Sequence, residues 1–373
     1  MPNSSCLYSL CLCVYVWHVI RIGGEANSIN SGERDTCRAI KTTNYSSEET
    51  TWISEMGSLT QLIPLLLLLL TGKAHAWNTQ PETDDDSEEE LMSLRWQVGY
   101  EQWQRQCEPY ELQVAATGFS TRIARGDFAE PGMFPYQVAL LLQLRQGTLR
   151  QCGGSLISLQ FVLTAAHCLT DAVSGKLYLG ATTYANATAA EQSFEVQQQD
   201  FNIYPGYLGF GGYNDLALIR LPQCATPSAR VQPIALARRF MQQPLLQGQL
   251  VSSSGWGAMG DALNAATRTV EEVNPLQYVN VQVLEQQRCI CRFLPGLVSA
   301  RRHICTDGSG GRGACEGDSG GPLVYQWRNV SYLIGLTSFG NAMGCELDAP
   351  TVYTRITSYL EWIMDEAGLD SDN

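Results

Sequence analysis

The sequence lacks several features that would assign it to a common class of protein. It has thirteen cysteines, yet no two of them are spaced as Cys-x-x-Cys, so a zinc ribbon is not indicated. It is poor in basic residues: 24 Lys and Arg stand against 37 Asp and Glu, and the formal net charge is −13. A nucleic-acid partner is therefore not expected. No internal repeat of the solenoid type is present.

No apolar run is long enough to span a bilayer. The most hydrophobic stretch is "MGSLTQLIPLLLLLLTGKAHAW", which begins at Met56 and offers Ala74-His75-Ala76 for cleavage before Trp77. This pattern predicts a signal peptide over residues 56–76 and no stable membrane insertion. We hypothesise that residues 1–55 are an upstream extension from an over-extended gene model. The alternative is a genuine long leader in which Ser9–Ile20 is the hydrophobic segment.

The cysteine content and two glycosylation sequences indicate a secreted, extracellular protein. Thirteen cysteines are too many for an ordinary reduced cytosolic protein, so the compartment should be oxidising. Asn186-Ala187-Thr188 and Asn329-Val330-Ser331 are acceptor sequences for glycosylation at Asn186 and Asn329. After the predicted signal peptide, residues 77–122 hold ten acidic and three basic residues, and the run Glu82–Glu90 should be a solvated spacer.

From Ile123 onward the pattern predicts an all-β fold. Short apolar runs are separated by Gly, Pro and Asn, as is typical of strands in a sandwich or barrel. These runs are "YQVALLLQL", "KLYLG", "LALIRL", "YVNVQVL" and "SYLIGLTSF". One stretch, Tyr359–Gly368, has apolar residues at helical spacing and a terminal glycine, so it predicts a C-terminal helix.

Three short stretches carry the residue types of one chemistry. "LTAAHCL" contains His167 at the end of an apolar run, "NDLALIRL" contains Asp215 at the start of another, and "GDSGGPL" contains Ser319 between glycines. A serine hydroxyl is a weak nucleophile, so it needs an imidazole to accept its proton and a carboxylate to orient that imidazole. Together the three stretches indicate nucleophilic catalysis by serine.

With these motifs the chain resembles the chymotrypsin-like (trypsin-fold) serine peptidases over about Ile123–Gly368. The order His, Asp, Ser is that of the family, and "CGGSLIS", "GWG" and "GPLV" fall where the family has them. The glycine-rich "TDGSGGRGACEGDSGG" is similar to insect and crustacean chymotrypsins and brachyurins. The resemblance implies two six-stranded antiparallel β-barrels with a C-terminal helix, and a serine endopeptidase that acts on protein or peptide substrates.

The resemblance also implies a role for each site residue. Ser319 would attack the carbonyl, His167 would be the general base and Asp215 would orient the imidazole. The N–H groups of Gly317 and Ser319 would form the oxyanion hole, and Ser338 would hydrogen-bond Asp215. No metal or cofactor is implied.

By the same resemblance the protein is made as a zymogen. Residues 77–122 would be an acidic activation pro-segment and residues 123–373 the catalytic domain, with cleavage between Arg122 and Ile123. The new ammonium group at Ile123 would pair with Asp318 and order the site. A trypsin-like activating protease is implied as a partner, together with a serpin or other protease inhibitor.

The specificity pocket implied by the resemblance lacks a carboxylate at its base. Gly313 occupies the position where an aspartate selects Arg or Lys, Gly340 leaves the entrance open, and Thr351 narrows the interior. We therefore expect cleavage after small to medium apolar residues. Glu346 and Asp348 lie close in sequence and leave open an unexpected route to basic residues.

The cysteines are assigned by resemblance. The implied pairs are Cys152–Cys168, Cys289–Cys305 and Cys315–Cys345. A further family bridge is absent at both ends, where this chain has Val251 and Tyr325. Cys107, Cys224 and Cys291 are left over; a Cys107–Cys224 bond would tether the pro-segment, and one cysteine would stay free or bond another chain.

Two alternative functions compete with the peptidase. A non-catalytic binding or cofactor protein that keeps the fold would usually lose a residue of the triad, whereas this chain has all three. A membrane-anchored ectoprotease would require residues 1–55 and a longer apolar span than Ser58–Thr71 supplies.

Overall fold

The computed structural model describes residues 98–110, 126–184, 189–209, 212–241, 245–258, 275–340, 345 and 348–369. The chain divides into two units, Met1–Gly99 and Tyr100–Asn373, and the architecture below is that of the second. Several predictions fall outside the described residues and stay predictions. They concern the upstream extension, the signal peptide, the acidic run, Arg122, Ile123, Asn186 and Glu346.

The described part of the second unit is built almost entirely from β-strands. Its fifteen strands are β1 Asp127–Phe128, β2 Gln137–Leu144, β3 Leu149–Leu156, β4 Phe161–Thr164, β5 Ala172–Leu179, β6 Gln192–Gln197, β7 Phe201–Ile203, β8 Ala217–Arg220, β9 Ala235–Leu236, β10 Leu250–Gly255, β11 Gln277–Gln282, β12 His303–Thr306, β13 Pro322–Trp327, β14 Val330–Phe339 and β15 Thr351–Arg355. Residues 100–107 are helical. The other helices are α1 Ala166–Leu169, α2 Gln286–Ile290 and α3 Leu360–Ala367, with 3₁₀ turns at Glu108–Tyr110, Gln198–Asp200 and Ile356–Ser358.

The strands form two curled antiparallel sheets, which confirms the predicted fold class. One sheet has the order β6-β5-β2-β3-β4-β8-β7 and the other β1-β11-β10-β13-β14-β15-β12, with β9 added in parallel to β14. The counts are seven and eight strands rather than six and six. The difference arises partly because two-residue strands at the margins, such as Asp127–Phe128 and Ala235–Leu236, still form ladder pairs.

The predicted C-terminal helix is confirmed with both ends shifted by one residue. It runs from Leu360 to Ala367 and buries Leu360, Ile363 and Ala367. Gly368 follows with φ +62°, the left-handed conformation that glycine adopts at helix ends without a steric cost. None of the helices formed by the described residues combines the length and the hydrophobicity needed to cross a membrane.

Two neighbouring strands, β4 and β8, face two hydrophobic cores at once. Leu163 and Leu218 point into the core under the second sheet, whereas Val162 and Ile219 point into the core of the first. Successive side chains of a strand alternate between its faces, so each strand is buried on both sides. The pairing is antiparallel, and the end of β4 lies beside the start of β8. The residues that follow β4 and those that precede β8 are therefore fixed at one edge.

We predict that Leu140→Ala lowers the free energy of unfolding by about 2–5 kcal/mol, because a fully buried leucine leaves a cavity when it is truncated. Leu149→Ala is the matched control, since Leu149 is 65% exposed, and it should change the stability by less than about 0.5 kcal/mol. Equilibrium urea unfolding of both variants under non-reducing conditions measures the difference. Equal losses would contradict the described core.

Candidate active site

The edge formed by β4 and β8 brings His167 and Asp215 together. Nδ1 of His167 lies 2.8 Å from Oδ2 of Asp215, and the backbone N–H of His167 donates to Oδ1 over 2.9 Å. Because Asp215 accepts at Nδ1, the proton of the neutral imidazole lies on Nδ1 and Nε2 is left as the acceptor. This is the tautomer that a general base at Nε2 requires.

Asp215 is 1% exposed, so its carboxylate depends on hydrogen bonds for its stability. Besides the two contacts with His167, the hydroxyl of Ser338 donates to Oδ2 over 2.6 Å. The backbone carbonyl of Asp215 accepts a hydrogen bond from Oγ1 of Thr354 at 2.8 Å. Ser338 lies on β14 and Thr354 on β15. Two strands of the second sheet therefore hydrogen-bond to Asp215, which stands just before β8 of the first sheet.

A partly buried arginine fixes the turn that carries His167. Nη1 of Arg150, on β3, lies 2.6 Å from the carbonyl oxygen of His167, 3.1 Å from that of Cys168 and 2.9 Å from that of Thr170. These carbonyls belong to the end of α1, where they lack partners within the helix. A cation at a helix C-terminus is also electrostatically favourable. Arg150 therefore holds the short helix in place.

The loop of Ser319 is joined directly to the strands that lead to His167. The N–H of Gly153 donates to the carbonyl of Ser319 over 2.7 Å, and Oγ1 of Thr164 donates to the carbonyl of Gly153 over 2.8 Å. Gly320 has φ +75°, and a Cβ there would lie 2.7 Å from the Gly153 oxygen and 2.9 Å from the Ala165 nitrogen. Glycine is thus required for the serine loop to approach the histidine turn this closely.

In this loop the backbone N–H groups of Gly317 and Ser319 have no acceptor among the described residues. Gly317 has φ +96°, which places it in a conformation that favours glycine. The neighbouring N–H of Asp318 is satisfied, since it donates to the carbonyl of Cys315 over 3.0 Å. The N–H groups of Gly317 and Ser319 are therefore available to bind an oxyanion.

Asp318 is buried without a cationic partner among the described residues and is 2% exposed. Its carboxylate accepts the N–H of Gly257 over 2.7 Å and the N–H of Cys315 over 2.9 Å. Burial raises the pKa of Asp318 to about 6, and the two N–H donors offset part of that rise. The carboxylate is thus held in a place where a positive charge would stabilise it.

Two of the three predicted pocket residues, Gly313 and Thr351, lie next to each other in the structure. A Cβ at Gly313 would lie 2.5 Å from Oγ1 of Thr351, so the threonine side chain faces Gly313 directly. Thr351 is buried, and Gly340 is exposed at the end of β14. The carboxylate of Asp348 accepts the N–H of Gly311 over 2.9 Å. That contact ties the segment before Thr351 to the loop before Gly313.

Disulfides enclose the site on several sides. The structure pairs Cys152 with Cys168, Cys289 with Cys305 and Cys315 with Cys345, the same pairs that the resemblance implies. The three residues Cys152, Cys168 and His167 lie close enough to suggest a metal site. Because the two cysteines are bonded to each other, they have no thiolate to offer as a ligand.

The suggested Cys107–Cys224 bond is wrong. Cys107 pairs instead with Cys291, over a Cα–Cα distance of 5.2 Å that a disulfide can bridge, and Cys224 is free and exposed. Cys291 is the residue after α2, and Tyr110 donates a hydrogen bond of 3.1 Å to Glu285 just before that helix. The partner of Cys107 was therefore decided by where residues 100–110 pack.

Sequence analysis missed Arg150 and Thr354. Their contacts with the site join residues 17 to 139 positions apart, and neither belongs to a short motif. Asn329, which the sequence analysis identified as a glycosylation acceptor, is exposed. It lies with φ +61° at the exposed turn between β13 and β14.

The comparisons with known proteins agree with this geometry. Residues 123–363 match the family model described as Trypsin. The chain is 35% identical to Brachyurin of Leptuca pugilator over 66% of this chain and 99% of that protein. It is 36% identical to Collagenase of Hypoderma lineatum over 66% of this chain and 88% of that protein. A solved structure titled HL collagenase is similar with a TM-score of 0.58 and 33% identity, covering 66% of this chain and 99% of the other.

We predict that Asp318 makes the stability of the intact chain depend on pH. The folded-state pKa is raised from 3.8 to about 6, so the folded state binds the proton more tightly and its stability falls as the pH rises between about 4 and 6. The fall should be on the order of 3 kcal/mol. In Asp318→Asn this fall should be absent.

Asp171→Asn is the matched control, because Asp171 is exposed and its φ of +62° suits asparagine. It should retain the pH dependence. Urea unfolding of all three chains from pH 4 to pH 8 makes the comparison. A decline that persists in Asp318→Asn would assign the titration to another group.

Proposed function

The chain belongs to the trypsin family of serine peptidases and is a serine-type endopeptidase acting on proteins or peptides, and on that premise we propose that it is a secreted zymogen whose His167, Asp215 and Ser319 hydrolyse peptide bonds. The observation that carries this proposal is the hydrogen-bonded set of His167, Asp215 and Ser338 beside the loop of Ser319. All three residue types of the triad are present, so no observation favours a non-catalytic role.

In the proposed reaction His167 takes a proton and returns one in each of two halves, acylation and deacylation. Oγ of Ser319 attacks the substrate carbonyl while Nε2 of His167 takes the hydroxyl proton. The imidazolium is stabilised by Asp215 and then gives its proton to the leaving amine, which leaves an acyl-enzyme. In the second half, His167 takes a proton from water while the water oxygen attacks the acyl carbon. The ester bond to Oγ of Ser319 then breaks, Oγ receives the proton from His167, and the carboxylic acid leaves.

The proposed oxyanion hole is the pair of N–H donors of Gly317 and Ser319. Both lack a described acceptor, so both can bind the negative oxygen of the tetrahedral intermediate. Donors fixed before the reaction stabilise the developing charge without reorganisation. Gln151 supports this arrangement, because its side-chain amide donates to the carbonyl of Trp256 over 2.8 Å and lies against Gly317.

The proposed specificity is for small to medium apolar residues. Gly313 places no carboxylate at the base of the pocket, and the Thr351 side chain occupies the space facing Gly313. A basic substrate side chain would then be desolvated without a partner, and a large aromatic ring would meet the threonine. Asp348 lies near this region, but its carboxylate already accepts a backbone N–H.

The proposed activation step is cleavage between Arg122 and Ile123 by a trypsin-like protease, since this pocket does not favour cleavage after arginine. The ammonium group of Ile123 then pairs with Asp318, whose buried carboxylate has no cationic partner among the described residues. A buried ion pair is favourable only when both charges are present, so the cut acts as a switch. A serpin or another protease inhibitor is the proposed regulator of the active form.

The pro-segment is proposed to remain attached after activation. Cys107 lies before the cleavage site and Cys291 after it, so their disulfide joins residues 77–122 to the catalytic domain. The exposed turn at Asn329 is proposed to be glycosylated along the secretory route, as is Asn186.

We predict that trypsin converts the secreted precursor to an active enzyme with a new N-terminus at Ile123. Peptide substrates ending in Ala or Leu at the scissile position should then be cleaved. Ser319→Ala should be processed identically and lose about 10⁴-fold or more in kcat, because it lacks the nucleophile. N-terminal sequencing and peptide assays provide the measurements.

Gel electrophoresis tests the attachment in the same experiment. The activated chain should run as one band without reductant and as two with it, whereas Cys107→Ser should give two bands under both conditions. Appearance of Ile123 with no activity would contradict the catalytic proposal, and activity that survives in Ser319→Ala would contradict the assigned nucleophile.

We predict that Thr351→Gly widens the pocket. The ratio of kcat/KM for Phe over Ala peptides should rise about tenfold or more, since one or two carbon groups in an apolar pocket are worth about that much. Thr351→Val keeps the branched shape and is the control, with the ratio unchanged within about threefold. Arg peptides cleaved faster than Ala or Leu peptides by the unmodified enzyme would contradict the pocket assignment.

A further inference from the structure

A second histidine lies buried close to the candidate active site. His303, the first residue of β12, is 0% exposed and takes no part in the proposed triad. Both of its ring nitrogens have partners. Nδ1 accepts the backbone N–H of Ser299 over 3.0 Å, and Nε2 lies 3.0 Å from the carbonyl oxygen of Gly212.

These two contacts define the protonation state of the His303 ring. Nδ1 faces a donor, so it carries no proton, and Nε2 faces a carbonyl, so it carries one. The neutral imidazole satisfies both partners. A second proton on Nδ1 would point at the N–H of Ser299, and that contact would be lost.

The ring of His303 joins the elements that deliver Asp215 and Ser338. Gly212 begins the stretch that leads through Tyr213 to Asp215. The ring packs edge-on against Tyr213 at a centroid distance of 5.4 Å and against Phe339, the residue after Ser338, at 5.8 Å. The hydrogen bond between Ser338 and Asp215 thus lies between two segments that both contact His303.

The approach of these segments is tight. A Cβ at Gly212 would lie 2.6 Å from Cδ1 of Phe339 and 2.9 Å from Oγ of Ser338. A small displacement of Gly212 therefore alters the contact with β14. The loop continues to Asn214, which has φ +58° and accepts a 2.9 Å hydrogen bond from the hydroxyl of Tyr359.

Several ionisable groups surround His303. Asp215 favours its protonation, whereas Arg302 and Arg355 oppose it; Tyr213 contributes a ring edge from the loop. Arg355, on β15, donates from Nε and Nη2 to the backbone carbonyl of His303 and so holds the strand rather than the ring. The net balance lowers the pKa of His303 from its usual range, chiefly through burial.

We infer that His303 is a positioning residue: its neutral ring, bonded to Ser299 on one side and to Gly212 on the other, holds the segment 212–215 so that Asp215 meets His167 and Ser338. This inference rests on the proposed triad. It predicts that loss of the two ring hydrogen bonds slows the chemical step much more than it weakens substrate binding.

The first test is the steady-state kinetics of the activated enzyme at neutral pH. His303→Gln keeps a donor and an acceptor, so its kcat and its KM should each stay within about threefold of the values for the unmodified enzyme. His303→Leu removes both hydrogen bonds, and its kcat should fall by roughly 10²-fold with a much smaller change in KM.

Arg145→Leu, an exposed substitution to the same residue, is the control and should match the unmodified enzyme. Thermal unfolding checks that each variant is folded. A kcat for His303→Leu within about threefold of the unmodified enzyme, or a loss in His303→Gln as large as that in His303→Leu, would overturn the inference.

A second test does not require catalysis. In the Ser319→Ala background, the low-field proton signal of the His167–Asp215 hydrogen bond is observed by NMR at neutral pH. The signal should be retained in His303→Gln and broadened or lost in His303→Leu. An unchanged signal in His303→Leu would overturn the inference, whereas failure of the proposed triad would show separately as activity that survives in Ser319→Ala.

Discussion

The buried carboxylate of Asp215 is the constraint on which the rest of the site depends. A carboxylate that is 1% exposed is costly unless donors surround it, and here they come from His167 and Ser338. The first sheet presents Asp215 at the start of β8, and the second sheet presents Ser338 on β14. The two sheets must therefore meet at one fixed distance. The strands β4 and β8, buried on both faces, supply that fixed distance.

A second buried carboxylate, that of Asp318, differs from Asp215 in the partners that surround it. Asp318 is as deeply buried as Asp215, yet among the described residues its partners are two backbone N–H groups and no cation. Burial accordingly raises its pKa to about 6. The carboxylate of Asp215 accepts hydrogen bonds from two side chains and one backbone N–H, whereas that of Asp318 accepts only two backbone N–H groups. That contrast is the physical basis of the activation proposal, because a group that lacks its counter-ion can respond when one arrives.

The region around α2 connects otherwise separate parts of the molecule. Its cysteines bind Cys107 on one side and Cys305, on β12, on the other. The residue after Cys291, Arg292, donates from Nη2 to the carbonyl of Asp348 over 3.0 Å, next to the pocket. The segment that carries Cys107 is thus bonded to an element that also contacts Asp348, and this element lies one disulfide away from the strand of His303. A helix of only five residues is not stable by itself, so the two disulfides at α2 hold it in place.

The sequence by itself determined the all-β class, five of the fifteen described strands and the C-terminal helix, because apolar periodicity and a terminal glycine act over a few neighbouring positions. It also indicated His167, Asp215 and Ser319, since each stands in a short motif whose local backbone is fixed by its neighbours. It could not decide that Cys107 bonds Cys291 rather than Cys224, nor that Arg150 holds the turn of His167 or that His303 holds the segment before Asp215. Those contacts join residues far apart in the chain. They follow from the packing of two sheets and a docked helix, and only the tertiary structure fixes such distances.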